Sequence, residues 1–78
     1  MSTKAYILIE TAVGKTREVA TTLRELDSMH SVDVVTGPYD IIAIIDAPDI
    51  SVMGTLVTEN IHTLGGVVRT VTCVGVGS

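Results

Sequence analysis

The sequence lacks the residues on which several protein classes depend. It contains no Trp, no Phe and one Cys, and its five Lys and Arg stand against nine Asp and Glu, for a formal net charge of −4 over 78 residues. A single cysteine excludes an internal disulfide framework and a multi-cysteine zinc site. Scattered basic residues in an acidic chain argue against direct nucleic-acid binding, which requires a cationic surface to neutralise phosphates.

Long apolar runs are missing as well. No stretch approaches the ~20 apolar residues that span a bilayer. The N-terminal segment 1–4 has neither the apolar region nor the small-residue cleavage site of a signal peptide. We therefore expect a cytoplasmic protein with no membrane partner.

The residues that are present predict a folded, strand-rich domain. Hydrophobic residues make up 46% of the chain and charged residues 18%, which is too apolar for a disordered segment. Val, Ile and Thr account for 31 of the 78 residues, and β-branched side chains favour strands. Since Tyr6 and Tyr39 are the only aromatic residues, the core must be aliphatic. The length fits one domain, 1–78, with no separate DNA-binding domain.

Changes in hydrophobic period divide the chain into six elements. Short β-branched runs predict strands, and apolar residues three and four apart predict amphipathic helices. Asp49 is a good N-cap, and Gly65 and Gly66 follow the second helical pattern as C-terminal glycines do. The elements are strand one at Ala5–Ala12, helix one at Lys15–Leu26, strand two at Val32–Thr36, strand three at Ile41–Ile45, helix two from Asp49 to Leu64, and strand four at Val67–Val76.

The order β-α-β-β-α-β predicts an α+β, ferredoxin-like sandwich. In this arrangement a four-stranded antiparallel sheet carries two helices on one face. The helices leave the other face open, although strands one, three and four are apolar on both sides. An exposed apolar sheet face of several hundred Å² is unusual in a monomer. We therefore expect two sheets to stack in a homodimer or a larger ring.

The sequence offers little for catalysis or for metal binding. Gly14-Lys15-Thr16 resembles the end of a phosphate-binding loop, but the first glycine of that motif is missing. His30 and His62 are isolated from each other in the sequence and are expected at the surface. Cys73 lies on a strand and is expected to be a small buried hydrophobe. We predict no catalytic residue, no metal site and no cofactor.

One candidate binding site follows from the turn between strands two and three. Thr36-Gly37-Pro38-Tyr39-Asp40 contains a glycine that permits close backbone approach and a proline that fixes a turn. The N–H groups of Gly37, Tyr39 and Asp40 can converge on a carboxylate, and the Asp40 side chain can pair with an ammonium group. The Tyr39 side chain can cover the apolar part of a ligand. These groups suit a free α-amino acid, but the same residues are also typical of a hairpin turn without a binding role.

Two motifs in this chain resemble a known family. The pattern Gly37-x-Tyr39-Asp40, an apolar strand, and Gly66-Val67-x-x-Thr70-x-Thr72 about thirty residues later are similar to the effector-binding (RAM) domain of the Lrp/AsnC transcription regulators. The resemblance covers all six predicted elements. It implies that the turn from Gly37 to Asp40 holds the main-chain groups of an amino acid. It also implies that Thr70 and Thr72 lie near the same cleft, although threonine is common in any strand.

The resemblance also implies an assembly. Domains of this family dimerise through their sheets, and the dimers form an octamer or a decamer-like ring with small effectors between dimers. Family members usually carry an N-terminal helix-turn-helix domain, whereas strand one begins here within a few residues of Met1. A full-length Lrp/AsnC regulator is therefore a candidate partner.

The leading hypothesis is a non-enzymatic amino-acid-binding module that assembles with itself and acts in transcriptional or metabolic regulation. A small dimeric α+β barrel enzyme is one alternative, since such enzymes share the topology. An ACT-like regulatory domain or a purely structural assembly module is another.

Overall fold

The computed structural model describes residues 3–76, so the first two and last two residues of the predicted 1–78 domain lie outside the described residues. Four strands form one antiparallel sheet in the order β2-β3-β1-β4. The order of elements confirms the predicted ferredoxin-like βαββαβ fold. The strands are Thr3–Thr11 (β1), Met29–Val34 (β2), Ile41–Ala47 (β3) and Val67–Val74 (β4); the helices are Thr16–Arg24 (α1) and Ile50–Leu56 (α2), the latter followed by a π-helical turn at Val57–Ile61.

The observed bounds of every element differ from the predicted ones by a few residues, and strand two is displaced towards the N-terminus. It begins at Met29 instead of Val32 and ends at Val34 instead of Thr36, so six residues rather than four separate it from β3. A bulge between Met29 and Ser31 interrupts the pairing with β3 and hides the start of the strand from a simple alternation pattern. His30, which falls between the predicted helix one and strand two, lies at this bulge in β2, and its Nδ1 is 3.5 Å from a carboxylate oxygen of Asp46.

The inner face of the sheet, which faces the helices, carries the core. Along β1 and β3 every second side chain points inward, and Ile7, Ile9 and Ile41 are completely buried. Helix α1 covers them with Val19, Ala20 and Leu23. The α2 segment begins at Asp49, whose side chain accepts a hydrogen bond from the N–H of Val52 at 2.9 Å, as predicted for an N-cap. It then buries Met53, Val57 and Ile61.

The second helical segment departs from the predicted regular helix. After Leu56 the backbone makes one π-helical turn, in which the N–H of His62 donates to the Val57 carbonyl at 3.0 Å. Within residues 3–76 no helix is long and apolar enough to cross a membrane.

Gly66 joins this segment to β4 at a close contact. Its φ of +96° is a conformation that L side chains rarely adopt, and an added Cβ would lie 3.0 Å from side-chain atoms of Lys15 and Val19. Its carbonyl accepts from the N–H of Ala12 at 2.8 Å. The glycine thus allows β4 to enter the sheet beside the start of α1.

The opposite side of the sheet is called the outer face here. In antiparallel pairs, directly opposed residues share a face, and Tyr6 is opposed to Ile44 and Cys73. No helix covers this side, so Tyr6 is 40% exposed and Val71 36%. Cys73 is exposed too, which corrects the prediction of a buried cysteine. The outer face comprises Lys4, Tyr6, Leu8 and Glu10 of β1, Ile42, Ile44 and Asp46 of β3, and Arg69, Val71 and Cys73 of β4.

Candidate functional site

The turn between β2 and β3, residues 35–40, is fixed to the sheet by its own backbone. The N–H of Val35 donates to the Asp40 carbonyl at 2.9 Å, which closes the turn. The N–H of Asp40 donates to the Ile9 carbonyl at 2.9 Å, which attaches the turn to β1. The turn therefore has a rigid base, while Thr36, Gly37 and Pro38 are exposed at its tip.

The Asp40 carboxylate strengthens this attachment. Its Oδ2 accepts from the N–H of Thr11 at 2.8 Å and from the Thr11 hydroxyl at 3.2 Å. The Thr11 hydroxyl also lies 2.7 Å from that of Thr16 at the start of α1. Hydrogen bonds to an ionised acceptor are stronger than neutral ones. Asp40 thus links the turn, β1 and α1, and its Oδ1 has no protein partner within residues 3–76.

Only part of the expected cluster of backbone N–H groups is free. We expected Gly37, Tyr39 and Asp40 to present their N–H groups together, but that of Asp40 already donates to Ile9. The N–H groups of Gly37 and Tyr39 have no acceptor in the described part of the chain. Gly37 has φ +146°, which a residue with a side chain would adopt only with strain, and this conformation shapes the tip.

Tyr39 reaches across the end of β1 to the outer face. Its hydroxyl accepts from Nη2 of Arg69 at 3.2 Å, and the Arg69 guanidinium carbon lies 5.5 Å from the centre of its ring. Nε of Arg69 is 3.5 Å from a carboxylate oxygen of Glu10, the residue opposed to it on β1. Neither Arg69 nor Glu10 was among the predicted site residues. Their opposite charges in one register pair become visible only when the pairing of β1 and β4 is known.

The two strand-four threonines lie on the other side of the sheet from this contact. Thr70 is opposed to Ile9 and Thr72 to Ile7, so both face the helix side, together, as predicted. The Thr70 hydroxyl lies 2.8 Å from Nε2 of His62. Unlike the inward residues of β1, Thr72 is exposed, because β4 is an edge strand beyond the cover of the helices. Within one chain, therefore, the threonines share no contact with Tyr39.

Outside the turn, the described chain has a cavity but no cluster of metal-ligating side chains. Residues 3–76 contain no group of three or more His, Cys, Asp or Glu that could hold a metal ion. A mainly apolar cavity of about 180 Å³ opens at the far end of the sheet from the turn, between the end of α1 and the π-helical turn. Leu26, Met29 and Asn60 are among the residues that line it, and none of the predicted site residues does.

The comparison with protein families and the comparison with solved structures agree with each other. The model of a family described as "Lrp/AsnC ligand binding domain" matches residues 4–76. No curated protein matches the chain. Among solved structures, the hypothetical protein PHS023 from Pyrococcus horikoshii is 30% identical with a TM-score of 0.90, over 95% of this chain and 89% of that one. The protein TTHA0845 from Thermus thermophilus is 32% identical with a TM-score of 0.89, over 94% of this chain and 91% of that one.

Longer regulators share the fold at lower identity. AsnC from E. coli superposes with a TM-score of 0.91 at 18% identity, and the match covers 97% of this chain and 52% of AsnC. A transcriptional regulator from Neisseria meningitidis, NMB0573, solved as a complex with L-Met, superposes with a TM-score of 0.84 at 19% identity, over 94% of this chain and 49% of that one. The chain thus corresponds to about half of each regulator.

Proposed function

Because the chain belongs to the Lrp/AsnC ligand-binding domain family, we propose that it is a regulatory module that binds an amino acid at the turn of residues 35–40. The proposal is carried by one observation: the turn contains both a free carboxylate oxygen, Oδ1 of Asp40, and two free N–H groups, those of Gly37 and Tyr39. An α-amino acid carries the complementary groups, an ammonium and a carboxylate, one carbon apart.

Each end of such an effector finds a suitable partner. The ammonium group would donate to Oδ1 of Asp40 while Oδ2 stays bound to Thr11, so binding would not break the attachment of the turn. The effector carboxylate would accept from the N–H groups of Gly37 and Tyr39. Charge-assisted hydrogen bonds of this kind are the strong ones. The Neisseria regulator solved with L-Met supports an amino acid as the class of effector.

A second copy of the chain completes the proposed site. Thr70 and Thr72 face the helix side of an edge strand, whereas Tyr39 contacts the outer face, so one chain cannot bring them together around one small molecule. We therefore place the effector in a cleft between copies, with the turn from one and the β4 threonines from another. Copies would also pair through the open outer face, giving a dimer and then an octamer or a decamer-like ring.

Coupling between binding and assembly would give the regulatory output. A ligand that contacts two copies binds the assembled state better and shifts the population towards it. The readout would be the assembly itself or a full-length Lrp/AsnC regulator as partner, acting inside the cell in transcriptional or metabolic control. The family is a regulatory binding domain, and we propose no catalytic step.

The experiment is a thermal-shift scan of the chain against the twenty standard amino acids at millimolar concentration. A ligand at 100 times its Kd stabilises by about 2.7 kcal/mol, and each kcal/mol moves the midpoint of a domain this size by roughly 4–8 °C, less in a cooperative oligomer. We expect a rise of several degrees with a few amino acids. No rise with any of the twenty would contradict amino-acid binding.

Asp40→Asn is the matching variant, because its amide oxygen can still accept from Thr11 while the negative charge is lost. We expect the selective shift to disappear with little change in the midpoint of the free protein. Glu25→Gln, an equal change of charge at an exposed residue at the end of α1, is the control and should leave the shift intact. If the amino acid raises the melting midpoint of Asp40→Asn as much as that of the original chain, Asp40 does not bind the effector.

A further inference from the structure

Arg69 of β4 contacts the turn through Tyr39. It makes three contacts at once: a hydrogen bond to the Tyr39 hydroxyl, a cation–π contact with the Tyr39 ring and an ion pair with Glu10. Tyr39 is only partly exposed, although it follows the exposed tip of the turn. The bonds made by Asp40 hold the base of the turn, whereas Arg69 contacts the Tyr39 side chain itself.

The chemistry of arginine suits this task. Its planar guanidinium offers several N–H donors in a fixed geometry and can stack on an aromatic ring. Nε faces Glu10 while Nη2 faces Tyr39, so Glu10 orients the group that orients the tyrosine. A lysine could supply the charge but not both directed contacts and the stacking.

We propose that Arg69 is a positioning residue of the turn: it holds Tyr39 across the end of β1 and thereby sets the shape of the effector site. The proposal rests on the function proposed above only for its effect on affinity. The hold on Tyr39 is a property of the free protein.

The position of Arg69 also connects the site with assembly. Arg69 and Glu10 lie on the outer face beside Leu8 and Val71, which form the next opposed pair on that face. If a second sheet covers this face, water around the guanidinium is reduced and its contacts with Glu10 and Tyr39 strengthen. Ordering of Tyr39 and pairing of the sheets would then favour each other, and this coupling must be reciprocal.

The first test follows Tyr39 without any ligand. The chain contains two Tyr and no Trp, so in a Tyr6→Phe background the fluorescence comes from Tyr39 alone. Arg69→Met should free the ring and raise the acrylamide quenching constant by about twofold, because the guanidinium no longer lies over the ring. The quenching constant of Arg69→Lys should fall between that of the chain with Arg69 and that of Arg69→Met. Arg17→Met, the same change at an exposed arginine of α1, is the matched control and should leave the quenching constant unchanged.

The second test measures affinity by calorimetry, with the amino acid that gives the largest thermal shift. Arg69→Met and Tyr39→Phe should each weaken binding by about threefold to tenfold, the effect of losing one ordinary hydrogen bond. In the double variant the losses should not multiply, because both substitutions remove the same contact. Arg17→Met should bind as the original chain does.

The outcomes separate this proposal from the proposed function. If no amino acid binds but Arg69→Met still exposes Tyr39, the effector proposal fails while the hold on Tyr39 stands. If quenching in the Tyr6→Phe background is equal with and without Arg69→Met, Arg69 does not position Tyr39. If an amino acid binds and the losses of the two substitutions multiply fully, Arg69 acts on the site by another route and the proposal is overturned.

Discussion

Both faces of the sheet carry aliphatic residues of β1 and β3, but these residues have very different surroundings. On the inner face Ile7, Ile9 and Ile41 are completely buried under the helices. Their immediate neighbours on the outer face, such as Leu8 and Ile42, are only partly buried. The residues come from the same strands, so intrinsic preference does not explain the difference. One chain supplies two helices, and these are enough to cover one side only.

The apolar residues of the outer face therefore lie outside the core of a single chain. Apolar surface removed from water contributes roughly 25 cal/mol per Å². An outer face left open forgoes that contribution and exposes a patch that would attract other apolar surfaces. A second sheet packed at about 10 Å would cover it. The same face carries Arg69 and Glu10, so covering it would also reach the turn.

The largest effect is expected from a charge at the centre of the outer face. Ile44 lies on β3, a central strand of the sheet, and is opposed to Tyr6 of β1. In a symmetric pair, Ile44→Lys would bury two ammonium groups, and desolvation costs several kcal/mol for each ion. We expect association to weaken by at least about a thousandfold, or about 4 kcal/mol. Analytical ultracentrifugation at micromolar concentration should then find the mass of a single chain, 8.2 kDa.

The control for this experiment is Ile50→Lys, which adds the same charge at a residue of α2 that is already 65% exposed. Its mass should equal that of the original chain, and circular dichroism should show that both variants are folded. If Ile44→Lys keeps the mass of the original chain, the outer face is not the surface through which copies associate.

The sequence predicted the sheet well because hydrophobic period is a local property. Apolar alternation, the glycines after helix two and the N-cap at Asp49 each report on their own neighbourhood, and the structure confirms the six elements. The continuous apolar run Ile41–Ile45 correctly predicted a strand apolar on both sides. It could not show which side the helices cover, since that depends on the register with β1.

The site was predicted less completely because its contacts join distant segments. Nothing local indicates that the Asp40 carboxylate binds Thr11, 29 positions earlier, or that Arg69 reaches Tyr39, 30 positions earlier. The placement of Thr70 and Thr72 on one side of β4 followed from alternation alone. That Tyr39 reaches the opposite side became clear only from the folded chain. The roles of these residues in binding stay predictions.

A smaller effect should distinguish two adjacent residues of β1, one on each face. In the Ile44→Lys background, where we expect separate chains, Ile7→Ala should lower the free energy of unfolding by about 2–5 kcal/mol, because it empties a completely buried position. Leu8→Ala should cost no more than about 1 kcal/mol there, because Leu8 already contacts water. Urea titrations followed by circular dichroism measure both. Equal costs would mean that the outer face is as well packed as the inner face in a single chain.

The smallest effect is expected at Cys73, which reports on the outer face without disturbing it. Its thiol is exposed in the single chain and lies opposite Tyr6. Where copies pair through this face, reaction with a thiol reagent requires the interface to open, so we expect modification at least about tenfold slower than in Ile44→Lys. A Cys73→Ser, Val13→Cys variant gives the reference, since Val13 is fully exposed in the turn before α1 and should react equally fast with and without Ile44→Lys. If Cys73 also reacts equally fast in both, the outer face is open in solution. Any assembly must then use a surface other than the outer face, such as the exposed edge of β4. Arg69 would then hold Tyr39 without help from a second sheet.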